Sequence, residues 1–292
     1  MNLVRKKLVY FYFILSGLVI LIGIGSLVAP SGLKLGIEFS SGSTLSLDFT
    51  ENVTQDELRQ ELSTLGYEAV IRNLEGEAYI ITLPVITIEE KKQLEEALTQ
   101  RLGELEELDF DTISPAISKD IGRQASIAIL VASVGILLYV AWAFRRLPSP
   151  FKWGSCAIVA LVHDVLIVLG TFSILGRLFN IQIDALFVTA ALAIVGYSVN
   201  NTVVVFDRLR ENLLLEGSHN LAQTFNRSIV ETLGRCLNTS LTTIFALLAL
   251  LFFGGITTHN FILALTIGVT VGTFSSIFIA PSLLLTWERG LK

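Results

Sequence analysis

Six stretches of the chain are almost wholly apolar, at residues 8–28, 126–144, 155–175, 183–206, 237–254 and 261–287. Each approaches the roughly 20 residues an α-helix needs to cross the hydrocarbon core of a bilayer, so the pattern predicts six membrane spans. Between the first two, residues 30–125 follow the shorter periods of a water-exposed domain. Residues 44–50 (TLSLDFT) alternate apolar and polar positions, as a half-buried strand does. Thr54 and Glu57 form a capping box ahead of a helical stripe of Leu58, Leu62 and Leu65, which Gly66 ends. Residues 69–73 and 78–83, joined at Glu75-Gly76, read as a hairpin. Thr87 and Glu90 repeat the capping box, Leu94, Leu98 and Leu102 repeat the stripe before Gly103, and residues 108–114 supply a last strand. The order β-α-β-β-α-β predicts a ferredoxin-like α+β domain of the split βαβ kind.

The predicted organisation is a cytosolic N-terminus and first span at 1–29, an extracytoplasmic domain at 30–125, and a bundle of spans two to six at 126–292 with a cytosolic segment at 207–236. Composition agrees: 52% of the 292 residues are hydrophobic and 16% charged, with a mean hydropathy of +0.66. A soluble domain carries about 25% charge. The chain is therefore an α-helical polytopic membrane protein, and a collagen, a disordered tail or a disulfide mini-protein is excluded. Cys156 and Cys236 lie in apolar runs and form no disulfide framework. With three scattered histidines they offer no metal cluster, and no cofactor is expected.

Charge sets the expected orientation. Residues 30–125 hold 8 Lys+Arg and 19 Asp+Glu, a net of −11, and the rest of the chain holds 13 and 7, a net of +6. The basic residues outside the domain are at Arg5–Lys7, Arg145, Arg146, Lys152, Arg208 to Arg235, Arg289 and Lys292. With both termini cytosolic all of these fall inside, as the positive-inside rule asks, and Arg177 alone sits on a short outer loop. The first span is long for a signal peptide and lacks a clean cleavage site, so it reads as a retained anchor. The acidity of the outer domain reads as a solvated surface.

Polar residues inside the spans are the candidate chemistry, because an ionisable group in a bilayer costs at least about 2.5–3.5 kcal/mol. Span three carries His163 and Asp164 near its centre, and span four ends through Asn200, Asn201, Asp207 and Arg208. Span five opens with Arg235, followed by Asn238, Thr239 and Thr242 at helical offsets, one polar face that is expected to meet another helix or a wet cavity. Asn200 and Asn201 also suit helix-to-helix hydrogen bonding. Arg208 suits snorkelling or an ion pair with the neighbouring Asp207, and Arg235 suits either snorkelling or a cavity role. Gly268, Gly272 and Ser276 make a small-residue face for close helix packing, here taken as one reason to expect a partner.

These stretches together resemble the SecF family of protein-export membrane subunits, within the resistance-nodulation-division (RND) superfamily. Gly36-Ile37-Glu38-Phe39-Ser40-Ser41-Gly42 looks like the family's Gly-Ile-Asp-Phe-x-Gly-Gly, and His163-Asp164-Val165 matches its third-span motif. Residues 196–212 (GYSVNNTVVVFDRLREN), which include Gly196, Tyr197, Asp207 and Arg208, look like its most specific signature. Residues 231–235 (ETLGR) and 239–243 (TSLTT) look like the next. The resemblance implies a protein-transport role in the bacterial cytoplasmic membrane, coupling an ion gradient to late steps of polypeptide export. It also implies an obligate SecD-like subunit, the SecYEG channel, SecA acting indirectly, the translocating polypeptide and membrane lipid as partners, with no nucleic acid.

The family pattern has Asn-Asp where this chain has Asn200-Asn201, and it implies that this Asp and the Arg matching Arg235 couple proton flow to export. Asn201 does not titrate. The titrating carboxylate is therefore expected at Asp164 or in the SecD-like subunit. Glu38 replaces an Asp, and Ser41 replaces a Gly, which matters if that position needs a positive φ. Two other readings are half of an RND-type small-molecule or lipid exporter, for which an outer domain of roughly 95 residues is small, and a passive scaffold of the export channel. No nucleophile–base pair, metal cluster or phosphate loop points to an enzyme.

Overall fold

The computed structural model describes residues 3–30, 32–74, 78–145, 149–216, 220–255 and 258–289. The Glu75-Gly76 turn, Arg146, Gly217 and Lys292 lie outside these. Two compact units emerge: Met1–Gly32 with Ala128–Ile174 and Leu186–Lys292, and Leu33–Ile127 with Leu175–Ala185.

The second unit contains α2 (Ile37–Ser40), β1 (Gly42–Phe49), α3 (Gln55–Thr64), β2 (Val70–Asn73), β3 (Ala78–Leu83), α4 (Ile88–Leu102) and β4 (Leu105–Ile113). All strand pairs are antiparallel, in the order β2-β3-β1-β4. Leu45, Leu47 and Phe49 of β1 alternate onto one buried layer with Leu58 and Leu62 of α3 and Leu94 and Leu98 of α4. Fully burying each such side chain contributes about 1.5–3 kcal/mol. Both capping boxes form: the Thr54 N–H donates to Glu57 Oε2 at 2.8 Å and the Thr87 N–H to Glu90 Oε2 at 2.7 Å. β4 starts at Leu105, three residues before the expected 108, because Phe49 pairs with Leu105 at the open end of the sheet. Asp109 faces Ser46 and Glu107 faces Leu47, so Leu108 is the extra residue of a β-bulge.

The first unit is helical. Six helices are long and apolar enough to cross a membrane, and each extends past its apolar stretch at one end or both. They are α1 (Lys6–Val28), α5 (Pro115–Phe144), α6 (Pro150–Phe179), α7 (Ala185–Glu216), α8 (Leu221–Phe253), and a last span assembled from α9 (His259–Phe274), a π-helical segment (Ser275–Ile279) and α10 (Ala280–Arg289). Hydropathy marks the part that suits lipid, whereas backbone hydrogen bonding carries each helix on until something stops it. Pro115 and Pro150 stand at first helical positions, where proline's missing N–H costs nothing. The core joins Trp153 and Cys156 of α6, Phe206 and Leu209 of α7, Phe225 and Ile229 of α8, and Ile277 and Leu284 of the last span. Trp153 and Phe206 meet edge to face, 5.3 Å between ring centroids.

Two pairs of spans lie parallel in a fixed register. Ser16–His163 and Ser26–Ser173 hydrogen bonds, both with an offset of 147, join α1 to α6, and Gly23 meets Gly170 between them at the same offset. The small-residue face of the last span is filled by α7: Gly268 lies on Ile194, Gly272 on Ser198 and Ser276 on Thr202, all offset by 74. That face is therefore used inside this chain, which corrects its reading as an argument for a partner.

Candidate functional site

The polar centre of the helical unit is built on α6. His163 is 6% exposed and Asp164 0%. Asp164 Oδ1 lies 2.8 Å from His163 Nδ1, while Oδ2 accepts from the Ser198 hydroxyl at 2.5 Å and from the Ser275 hydroxyl at 2.7 Å. The other imidazole nitrogen, Nε2, is hydrogen-bonded to Ser16 Oγ. A continuous chain of polar contacts thus runs from α1 through α6 to α7 and the π segment. Close packing makes room for it: a Cβ on Gly272 would sit 3.6 Å from Asp164 Oδ2 and 3.3 Å from Ser198 Cβ. The π segment turns Ser275 toward Asp164 and Ser276 toward Ser198 O, at 3.2 Å, and Thr202 Oγ1, at 2.9 Å. Single π-helical turns are common where side chains must be re-aimed for function.

Sequence reasoning found His163 and Asp164 but passed over Ser16, Ser198 and Ser275. The signal was present: Ser16 interrupts an apolar span, Ser198 lies inside the 196–212 motif, and Ser275-Ser276 is a hydroxyl pair in another apolar run. A second cluster joins Tyr197, whose hydroxyl donates to Ser240 Oγ at 3.0 Å, with Thr273, 2.6 Å from Ser240 Oγ.

The remaining candidates divide between buried and exposed. Asn201 is 2% exposed, and its Nδ2 has no hydrogen-bond partner among the described residues. Asn200 is exposed, as are Gly196, Gly234, Arg235, Asn238, Thr239 and Thr242. The Thr239 and Thr242 hydroxyls donate back to the Arg235 and Asn238 carbonyls, each at 2.9 Å. This face of α8 is expected to meet another helix or a wet cavity, and none of the described helices of this chain covers it. Glycine is not needed for packing at Gly196 or Gly234, where a Cβ would meet nothing within 4 Å.

Arg208 also differs from expectation. It donates to Glu231 at 2.8 Å and Glu211 at 2.6 Å rather than pairing with Asp207, which lies 3.8 Å from Arg210. Asn212 and Arg227 close on the same Glu231 carboxylate, each at 2.8 Å, clamping α7 to α8. Near the start of the second unit, the Gly36 N–H donates to Ile183 O and the Ile183 N–H to Lys34 O, both at 2.8 Å. Ser41 takes φ 60° and ψ 156°, and Gly42 takes φ 144° where a Cβ would sit 2.7 Å from the Leu83 carbonyl oxygen. Burial holds the Glu38 carboxyl above the usual range; its backbone hydrogen bond opposes this, and Asp184 and Asp111 add to the rise. Among the described residues no three His, Cys, Asp or Glu side chains are grouped to hold a metal.

Six helices long and apolar enough to cross a membrane, holding a buried acid–base pair, together with a separate antiparallel α+β unit, define a polytopic membrane protein. The family described as protein export membrane protein SecD/SecF, C-terminal, matches residues 93–290. The chain belongs to the SecF family of protein translocase subunits: it is 44% identical to SecF of Thermobaculum terrenum over 96% of its length and 92% of that protein's. SecF of Anaerolinea thermophila is 36% identical over 99% of this chain and 95% of its own. A crystal structure of SecDF from Thermus thermophilus, described as a translocon-associated membrane protein, superposes with a TM-score of 0.86 at 36% identity. It matches 97% of this chain, which spans 38% of the SecDF chain.

Proposed function

We propose that this subunit pairs with a SecD-like half, beside a SecYEG-type channel fed by SecA, and couples an ion gradient to late steps in the export of polypeptides. It acts without an enzymatic step of its own, from the bacterial cytoplasmic membrane, with both termini in the cytosol and a ferredoxin-like domain outside. The strand order β2-β3-β1-β4 and the β-α-β-β-α-β succession support that domain assignment. The match of this chain to 36% of the fused SecDF of Thermus thermophilus supports a SecD-like second half.

The observation that carries the reading is the uncovered face of α8. The side chains of Arg235 and Asn238 have no hydrogen bond or ion pair among the described residues and stand exposed on a helix suited to lipid. An arginine facing lipid costs about 2.5–3.5 kcal/mol at the centre of a span, and less at the opening of span five, where Arg235 stands and can snorkel. A carboxylate and polar groups from a partner helix answer that cost, and Gly196, Asn200 and Gly234 leave room for its approach. The ion relay then comprises Arg235 with a partner carboxylate, together with the buried His163–Asp164 pair.

The test is completion of polypeptide export into membrane vesicles, with and without a proton or sodium gradient. Arg235→Ala is expected to abolish the gradient-dependent stimulation, Asn201→Ala to be mild, and Asn201→Asp to retain or raise it. Normal export by Arg235→Ala under both gradients would leave Arg235 as a snorkelling anchor and end the relay reading.

A further inference from the structure

Among the described residues the partners of the His163–Asp164 pair are Ser16, Ser198 and Ser275, with no other charged side chain bonded to it. No charged residue occurs between Lys7 and Lys34 on the side of α1, between Arg123 and Arg145 of α5, between Asp184 and Asp207 of α7, or between His259 and Glu288 of the last span. Within α6 the pair stands alone between Lys152 and Arg177, and α8 carries no charge between Arg235 and His259. Arg235 itself faces outward. The other titratable groups on the surrounding elements include Tyr12 of α1, packed on Phe274 and Phe278, Tyr197 of α7, bonded to Ser240, and buried Cys156 of α6 and Cys236 of α8, none of which is a cation in either protonation state. A carboxylate beside a neutral imidazole would leave one negative charge with no cation to balance it. One added proton makes the pair neutral, either as a carboxylic acid with a neutral ring or as a carboxylate with an imidazolium.

We propose that His163 and Asp164 form a proton-binding site inside this subunit, holding one proton between them, and that its occupancy selects the hydrogen bonds that tie α6 to the π segment. The inference rests on the gradient-coupling reading above for its purpose, but not for its chemistry. The bound species is a proton rather than a metal cation. Both serine oxygens lie at direct O–H···O separations from Oδ2, 2.5 and 2.7 Å, with no gap for an ion between them. Ser275 provides the switch, because its single hydroxyl proton has two acceptors, Asp164 Oδ2 at 2.7 Å and Gly272 O at 3.2 Å. When the proton sits on Oδ2 the carboxyl becomes a donor to a serine oxygen, and Ser275 turns its own O–H to the Gly272 carbonyl. When the proton leaves for water, Oδ2 again accepts from both serines. No covalent bond changes other than the O–H or N–H that carries the proton.

The experiment uses the complex with its partner in lipid nanodiscs at neutral pH. With the partner left unlabelled, His219→Gln and His259→Gln make His163 the sole ¹⁵N-labelled histidine, and infrared spectra follow protonated carboxyls. A carboxylic-acid band that Asp164→Asn removes is the expected result and supports both site and switch; an imidazolium signal that His163→Gln removes keeps the site but overturns the switch, because Oδ2 then stays ionised and accepts from both serines. A neutral imidazole with no acid band assignable to Asp164 overturns the site. Should those variants fail to assemble, Ser275→Ala leaves both groups in place and is expected to shift the signal without abolishing it; an unshifted signal overturns the switch. Vesicle export by Asp164→Asn separates the two levels. Loss of gradient stimulation supports the coupling role, whereas a proton signal in the parent protein with normal export by Asp164→Asn keeps the site and removes it from the coupling path.

Discussion

Ser41 sits at φ 60° and ψ 156°, a region that a residue with a Cβ occupies only at a cost of about 1–3 kcal/mol. The family resemblance puts glycine there, so Ser41→Gly is expected to stabilise the protein by about 1 kcal/mol, read as a higher unfolding temperature in mild detergent. An unchanged or lower temperature would show that the Ser41 side chain is compensated. Glu38, three residues earlier, makes a pH prediction with a definite sign. Its carboxyl titrates above its ordinary 4.5 because it is buried, so the folded state holds the proton more tightly than the unfolded chain does. Its stabilising contribution is present below 4.5 and is lost as the pH rises through the raised value. Glu38→Gln should therefore gain stability over the parent at neutral pH and show no gain in acid. The helix-capping carboxylates behave oppositely: backbone N–H groups of Thr54 and Thr87 hold Glu57 and Glu90 below 4.5, and their contribution fades as the pH falls. A Glu38→Gln gain that persisted unchanged in acid would assign the effect to packing instead of charge.

At the scale of elements, the seam between α7 and the last span depends on three small residues repeating every four positions. A side chain at Gly268 would run into Ile194, so Gly268→Leu should cost about 1–3 kcal/mol through overpacking, and an Ile194→Ala change should recover part of it. A double-mutant cycle on unfolding temperature measures this, and simple additivity would place the contact elsewhere. That seam was legible as a small-residue face, but its partner was not, since one chain's pattern shows which face is small and not which helix fills it. The capping boxes were legible in full because Thr54–Glu57 and Thr87–Glu90 act within four residues. The hydrogen bonds of Asp164 were illegible for the opposite reason. Ser198 and Ser275 are distant in sequence, and the π segment shifts Ser275 out of the 3.6-residue register by which faces are judged. The exposed stripe of α8 was read as polar, and only the packed structure shows that its own chain leaves it bare.

For the whole molecule, parallel pairing of α1 with α6 and of α7 with the last span agrees with strict alternation of six crossings. Reporter fusions at Glu75 and Gly103 are expected to read outside, and fusions at Ser149 and Gly217 inside; a cytosolic signal at Glu75 would break the six-span topology. Expressed without its SecD-like half the chain should be unstable, and with it the two should copurify in mild detergent. A well-behaved monomer that moves a dye across vesicles would favour a small-molecule exporter. The bare stripe of Arg235, Asn238, Thr239 and Thr242 has one more consequence, for the life of the protein before assembly. A copy inserted without its second half is expected to display those polar side chains until that half arrives. Raising the supply of the SecD-like half is therefore expected to raise the level of this chain, measured by immunoblot of membranes.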